Sequence, residues 1–227
     1  MTDAPRSGLP RWVEAPVAAV GLLVSAPVLL GAALGVKLTS PGPALFRQER
    51  VGLHGRPVVL LKLRSMTTGA AGPGFTAGGD LRVTRWGRVL RATKLDELPE
   101  LWNILVGEMS FVGPRPEVPR YVDPGDPAWR RVLEARPGLT DPVTLRLRNE
   151  EALLASVPGD RGRFYSEHLL PWKLRGYLDY LGRRTPWSDL GVLVRTVLAV
   201  LLPSTEPPPS LLEIEGGGDG AEGRVGT

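Results

Sequence analysis

The sequence predicts an α+β fold, mostly helical, on three observations. Residues 15–36 carry no charged side chain, a length that crosses a bilayer as a helix. Two short apolar runs, 44–46 and 58–61, flank a Leu-His-Gly turn and read as a small β-hairpin. Apolar residues then recur at i, i+3, i+4 and i+7 over 98–105 and again over 190–201, the period of amphipathic helices. The chain divides accordingly into a flexible N-terminus (1–11), a membrane helix (12–38), a folded domain (39–202) and an acidic, disordered tail (203–227).

The totals restrict what such a chain can do. With 227 residues, 42% of them hydrophobic, it has room for one packed domain with an anchor and a tail. No cysteine is present and histidine occurs only at 54 and 168, which excludes disulfides, thiolate metal sites and multi-histidine centres. A metal would have to be a hard cation on carboxylates and phosphates. Net charge is +4, but residues 204–227 sum to −4, leaving about +8 on the rest. Such an excess suits nucleic acid, an anionic membrane face or a phosphorylated substrate.

Residues 1–11 form a short lead with Arg6 and Arg11. For residues 12–38 three readings compete: a cleaved signal, a spanning helix, and a re-entrant helix that enters one leaflet, bends and leaves on the same side. The run is long for a signal and lacks a small-x-small cleavage site. Pro27, near its middle, removes a backbone hydrogen bond, and Ser25 can satisfy a freed carbonyl. Bases flank both ends, Arg6 and Arg11 before and Lys37, Arg47 and Arg50 after, which favours both ends facing the cytoplasm. After the hairpin comes Lys62-Leu63-Arg64-Ser65-Met66, then a Gly-rich stretch, 69–80, expected as a mobile loop near the site. It spells neither G-x-G-x-x-G nor a Walker motif.

The stretch 94–103, Lys-Leu-Asp-Glu-Leu-Pro-Glu-Leu-Trp-Asn, is the centre of the chain. Leu98, Leu101, Trp102 and Leu105 lie on one helical face, and Pro99 is tolerable only in a first turn. Asp96 and Glu97 then stand at the positive end of the helix dipole. Arg82, Arg85, Arg88, Arg91 and Lys94 crowd the approach, and Gly113-Pro114-Arg115-Pro116 is a stiff turn that fixes one guanidinium. Carboxylates beside fixed arginines suit phosphate chemistry. A lone Asp-Glu pair reads equally well as a helix cap.

Downstream, 122–128 is a surface loop rich in proline and acids, and 135–140 reads Ala-Arg-Pro-Gly-Leu-Thr. Residues 164–184 set Tyr165, Trp172, Tyr177 and Tyr180 among basic residues. Single-stranded nucleic acid could stack on such a surface, but helical spacing of this kind points to core or membrane interface. The stripe over 190–201, interrupted by Arg195, fits a helix lying against the core or along a membrane surface. Pro, Gly and acids predominate from Pro203 on.

The block from Arg82 to Glu117, with the Lys62–Met66 segment and the 135–140 segment, resembles the signature of the bacterial sugar transferases, the monotopic polyprenyl-phosphate phosphoglycosyl transferases. The resemblance covers roughly residues 12–202, to the minimal form of the family without the extra N-terminal membrane bundle of larger members. It implies a re-entrant helix, usually broken at Ser-Pro, where this chain reads Ser25-Ala26-Pro27. It also departs after Thr140, where Asp141-Pro142-Val143-Thr144 replaces the usual glycine and aromatic-rich segment.

The activity implied is transfer of a sugar 1-phosphate from a UDP-sugar to polyprenyl (undecaprenyl) phosphate through an aspartyl-phosphosugar intermediate, initiating glycan or exopolysaccharide assembly. The resemblance makes Asp96 the nucleophile and a Mg²⁺ ligand, and Glu97 its partner. It sets Arg91, Arg115, Arg136, Lys62 and Arg64 on substrate phosphates, and makes 39–202 the catalytic domain. The implied location is the bacterial inner membrane, with the catalytic domain on the cytoplasmic face. Partners would be the bilayer and downstream glycosyltransferases, with no nucleic acid. The alternative is a catalytically silent membrane adaptor that binds a nucleotide sugar or a pathway partner.

Overall fold

The computed structural model describes residues 8–67, 76, 78–202 and 207–216. The fold is mostly helical with two small sheets, and it begins with α1, Arg11–Thr39. Among the described residues this is the one helix long and apolar enough to cross a membrane. At ~1.5 Å per residue it is about 43 Å long. It continues through Pro16 and Pro27, so the expected break at Ser25-Ala26-Pro27 is not a break in the helix. Ser25 Oγ donates to the Leu22 carbonyl at 3.4 Å.

A hairpin follows, β1 (Leu45–Val51) and β2 (Pro57–Leu63), antiparallel with Leu45 opposite Leu63 and Val51 opposite Pro57. Its turn needs the left-handed conformation at His54 (φ 56°) and Gly55 (φ 75°). The helix α2 (Arg85–Ala92) is capped by Thr84, whose hydroxyl accepts from the Gly87 N–H. A 3₁₀ turn, Leu95–Glu97, leads to α3, Glu100–Val106. This corrects the expectation that Asp96 and Glu97 open the helix: they stand in the turn before it, and Pro99 is the residue preceding its first turn. The buried face also differs. Leu101 and Ile104 pack inward with Glu100 and Asn103, whereas Trp102 is half exposed.

A second sheet, not anticipated, pairs β3 (Ser110–Val112) in parallel with β4 (Gly138–Thr140). Three residues per strand give too little alternation to read in a sequence. Between them run the strap 113–117 and α4, Pro127–Leu133. Then come α5 (Pro142–Arg146), α6 (Glu150–Ser156) and α7 (Arg161–Phe164). A π turn, Tyr165–Leu169, enters α8, Leu170–Arg183. Pro171 cannot donate to a carbonyl of that turn, which accounts for the wider spacing. The last long helix is α9, Pro186–Leu201, with a Thr185–Ser188 capping box.

Three apolar clusters bear on the site. Ala18, Val58, Leu60, Leu101, Ile104 and Met109 join α1, the hairpin and α3. Ala32, Val36, Leu63 and Leu90 join the other half of α1 to β2 and α2. The largest is built on α4, α7 and α8, with Tyr165 and Tyr177 inside it. Those tyrosines are therefore core, not a stacking surface. In contrast, the stripe Leu190, Val194, Val197, Leu198 and Leu201 on α9 faces outward, and Asp189 and Val192 face in.

The same domain contacts both halves of α1. Near its start, Arg11 donates to the carbonyls of Ile104 (2.6 Å) and Leu105 (3.0 Å) at the end of α3. Glu14, buried, accepts from the Phe111 N–H at 2.9 Å. Toward its end, Trp86 of α2 donates from Nε1 to the Ala32 carbonyl at 3.1 Å. Gly35 is required there, since a Cβ would stand 2.6 Å from the Trp86 ring.

The tail reading is corrected in part. Within 203–227, a short helix α10 (Leu211–Gly216) is ordered, with Ile214 only 1% exposed in the main core. Arg146 grips Glu213 through both guanidinium nitrogens at 2.7 and 2.8 Å. Leu211, Leu212 and Ile214 are the local apolar exception in a polar composition, and Ile214 enters the core with Leu211 packed against it. Residues 1–7, most of the Gly-rich stretch 69–80, and 203–206 with 217–227 lie outside the described residues.

Candidate active site

Lys94 adopts the left-handed conformation (φ 58°, ψ 16°), an uncommon one for a side chain this large. It reverses the chain at the end of α2 and turns Asp96 and Glu97 inward. Asp96 is only 6% exposed, and its Oδ1 has no hydrogen-bond partner. Burial and the neighbouring Glu97 raise its pKa, against the pull of Lys62, Arg91 and Lys94. The result is a carboxylate with little to stabilise it, an orphaned acceptor.

Glu97 is treated in the opposite way. Lys62 Nζ donates to its Oε1 at 3.2 Å, and Arg115 donates to the same oxygen. Burial pushes Glu97 up, but Arg115, Lys62 and Lys94 together hold it well below the usual carboxylate range. Arg115 in turn is raised, chiefly by Glu97. Two adjacent carboxylates thus have environments that push them apart, an ionised partner beside an unsolvated one.

Lys62 reaches this position through β2. Val58, Leu60 and Lys62 share one face of the strand by its two-residue period, the first two packed on α3. Asn103 fastens the open edge of β2 like a short strand. Its Oδ1 accepts from the Leu61 N–H at 3.1 Å and its Nδ2 donates to the Val59 carbonyl at 2.8 Å. Lys62 Nζ lies 3.1 Å from Glu100 as well, so one ammonium joins the two glutamates. Burial raises Glu100, with Lys62 opposing.

The other expected phosphate ligands divide. Arg91 is beside the pair and counts among the charges acting on Asp96, but its guanidinium is held by Glu151 of α6 and by Ser65 Oγ at 3.2 Å. Arg64 is buried elsewhere: it donates to the carbonyls of Ser40 (2.8 Å) and Pro41 (2.5 Å) and closes the loop after α1. Arg136, at the foot of α1, is lowered by burial first and then by the charges of Arg11 and Arg184, with Glu14 opposing. The structure therefore brings Lys62, Arg91 and Arg115 to the carboxylate pair and gives Arg64 a structural tie.

Two participants escaped the sequence reading, Glu100 and Glu151. Glu100 lies three residues from Glu97, within the recognised block, but the assumed apolar face put it outside. Glu151 is 60 residues from Arg91, and nothing local marks it. Among the described residues no group of three or more Asp, Glu or His could hold a metal alone. A Mg²⁺ that takes one or two carboxylates and substrate phosphates fits the orphaned Asp96 Oδ1.

The comparisons with known proteins agree among themselves. A family model described as bacterial sugar transferase matches residues 6–203. The chain is 42% identical over 196 residues to "UDP-glucose:undecaprenyl-phosphate glucose-1-phosphate transferase" of Caulobacter vibrioides, covering 84% of this chain and 69% of that one. Against the Escherichia coli protein of the same name it is 34% identical over 208 residues, 86% of this chain and 41% of the relative. It is 50% identical over 189 residues to "Exopolysaccharide production protein PSS" of Rhizobium leguminosarum bv. phaseoli, covering 79% and 88%. The chain thus spans less than half the length of some of its relatives and most of the length of others.

Proposed function

The chain belongs to the bacterial sugar transferase family, and from this we propose that it moves a sugar 1-phosphate from a UDP-sugar to polyprenyl phosphate. It is a phosphoglycosyl transferase, like relatives named as undecaprenyl-phosphate sugar transferases. The observation that carries the mechanism is the asymmetry of the pair. Asp96 is buried with an unpartnered oxygen, while Glu97 is locked by Lys62 and Arg115.

In the first step an Asp96 oxygen attacks the phosphorus that bears the sugar. The bond from that phosphorus to the bridging oxygen breaks, and UMP leaves. In the second step a phosphate oxygen of the lipid attacks the same phosphorus, the bond to Asp96 breaks, and the polyprenyl diphosphate sugar departs. A poorly solvated carboxylate is a stronger nucleophile than a hydrated one. Arg115 and Arg91 lie where negative charge gathers, and a substrate phosphate would compete with Glu97 and Glu151 for them. Lys62 keeps Glu97 ionised and in place. Mg²⁺ held by Asp96 together with diphosphate oxygens would supply Lewis-acid charge to the phosphate being transferred.

The packing of α1 supports membrane association from one side. Both its halves lie against the same domain, which supports a re-entrant helix over a spanning one, and its outer face is apolar. On this reading α1 enters one leaflet, with the domain on the cytoplasmic face of the inner membrane, where the lipid phosphate is within reach. Partners are then the UDP-sugar, the lipid and the enzymes that extend the glycan.

The test is UMP release in nanodiscs with undecaprenyl phosphate, Mg²⁺ and a panel of UDP-sugars, wild type beside Asp96→Asn. Turnover that needs lipid, metal and Asp96 is expected. Without lipid, one equivalent of sugar phosphate should remain on the peptide that contains Asp96. Nucleotide-sugar binding with no turnover for any donor would replace this reading with that of a silent adaptor.

A further inference from the structure

The strap 113–117 places Arg115 against Glu97, and what holds the strap is a polar cluster that the transfer chemistry does not use. Upstream, the Gly113 N–H donates to the Thr140 carbonyl and the Gly138 N–H to the Pro114 carbonyl, both at 3.0 Å. Downstream, the Glu117 carbonyl accepts from the Val51 N–H at 2.9 Å, and Arg50 donates to the Pro116 carbonyl at 3.2 Å. Prolines on both sides of Arg115 restrict the backbone between these anchors.

The Glu117 side chain then enters the protein. It is 4% exposed and accepts from Lys173 Nζ at 2.7 Å and from Tyr165 OH at 2.9 and 3.0 Å. Tyr165 and Lys173 are equally buried, and Lys173 also donates to Tyr165 OH at 3.2 Å. A buried ion pair seldom stabilises a fold more than well-packed apolar residues of the same volume would. Its geometry, however, is fixed by direction as well as distance, which apolar packing is not. A device of this kind directly behind a catalytic arginine serves position.

We propose that Glu117, Lys173 and Tyr165 form a buried strut that sets the Arg115 guanidinium on Glu97 and the substrate phosphate, making them positioning residues for the transfer. This rests on the transferase reading above. If Arg115 shifts by an ångström, the rate falls while the fold stands.

The experiment is a double-mutant cycle on UMP release in nanodiscs. One arm is Glu117→Met with Lys173→Met, which removes both charges together and is expected to melt near wild type. Its kcat is expected to drop roughly 10- to 100-fold, with the KM for lipid unchanged. In an Arg115→Lys background the same pair of substitutions is expected to cost less than about twofold, because the group being positioned is gone. Equal losses in the two backgrounds, or full activity in the paired variant, would overturn the proposal. Should that variant not fold, Tyr165→Phe carries the same cycle, with a several-fold loss expected only when Arg115 is present and equal losses again overturning it.

Hydrogen exchange over residues 110–121 reads the strut without turnover. Exchange at least about tenfold faster in the paired variant, with α4 and α8 unchanged, is expected. An unaltered strap would overturn the strut even if wild type itself released no UMP, a result that would count separately against the transferase reading.

Discussion

In the proposed mechanism Asp96 contributes chemistry at the expense of the fold. Its pKa is raised by burial and by Glu97, so ionising it costs more in the folded state than in the unfolded chain. Stability from this group is full below the ordinary carboxylate range and is lost as pH rises through the raised value. Asp96→Asn should abolish UMP release in Mg²⁺ yet, in EDTA, melt no lower than wild type at neutral pH, with the difference shrinking in acid. A thermal melt series from pH ~4 to ~8 checks it. Asn103 is the contrasting case. Asn103→Ala loses the bonds to Leu61 and Val59, and urea unfolding should register a loss of about 2 kcal/mol. Turnover should fall too, since β2 carries Lys62. Asp96, Glu97 and Arg115 were legible because one unbroken block of sequence carries them. Glu100 was hidden by a wrong helical face, and Glu151 by distance along the chain.

At the scale of elements, the strap and α10 make opposite demands. Burial pushes the Glu117 carboxyl up, but the charges of Lys173 and Arg50 and the hydrogen bonds from Lys173 and Tyr165 hold it below the usual range. Its contribution to stability is therefore present above the ordinary carboxylate pKa and is lost as pH falls through the lowered value. Glu117→Gln leaves the buried Lys173 ammonium with only the more distant Glu150, at 3.6 Å, and should cost about 3 kcal/mol at neutral pH. That gap should narrow in acid as wild type loses the same ion, which chemical unfolding at several pH values measures. For α10, Ile214→Ala should cost about 2 kcal/mol or release the helix locally, seen as faster exchange over 207–216. The hairpin was legible from its turn and its apolar runs. The β3–β4 pair and α10 were not, because each is stabilised by residues far away in sequence and too few of its own carry a period.

For the whole molecule, the exposed apolar faces of α1 and α9 are the surfaces suited to membrane association. Leu23 and Leu30 are largely exposed on α1, turned away from the domain. Leu23→Glu with Leu30→Glu should weaken vesicle binding at least roughly 100-fold, at about 1.5–3 kcal/mol for each lost leucine. Flotation with liposomes measures it, and the melting temperature in detergent should hold. The charge asymmetry and the uncharged N-terminal run made a membrane protein legible in outline. The way α1 lies along its own domain depends on Trp86, Glu14 and Arg11 finding distant partners, which no local pattern declares.

Just before α1, the Leu9 N–H donates to buried Asp189 at 3.0 Å, across 180 residues of chain. Arg184 and Tyr180 hold the same carboxylate. This bond has a consequence for biogenesis. α1 is synthesised before α9, so this bond waits until Asp189 has been added to the chain. Once made, Asp189 fastens the domain back to the root of α1, completing a ring. A helix made late is thus the latch for the first, and a chain cut short before α9 lacks that latch.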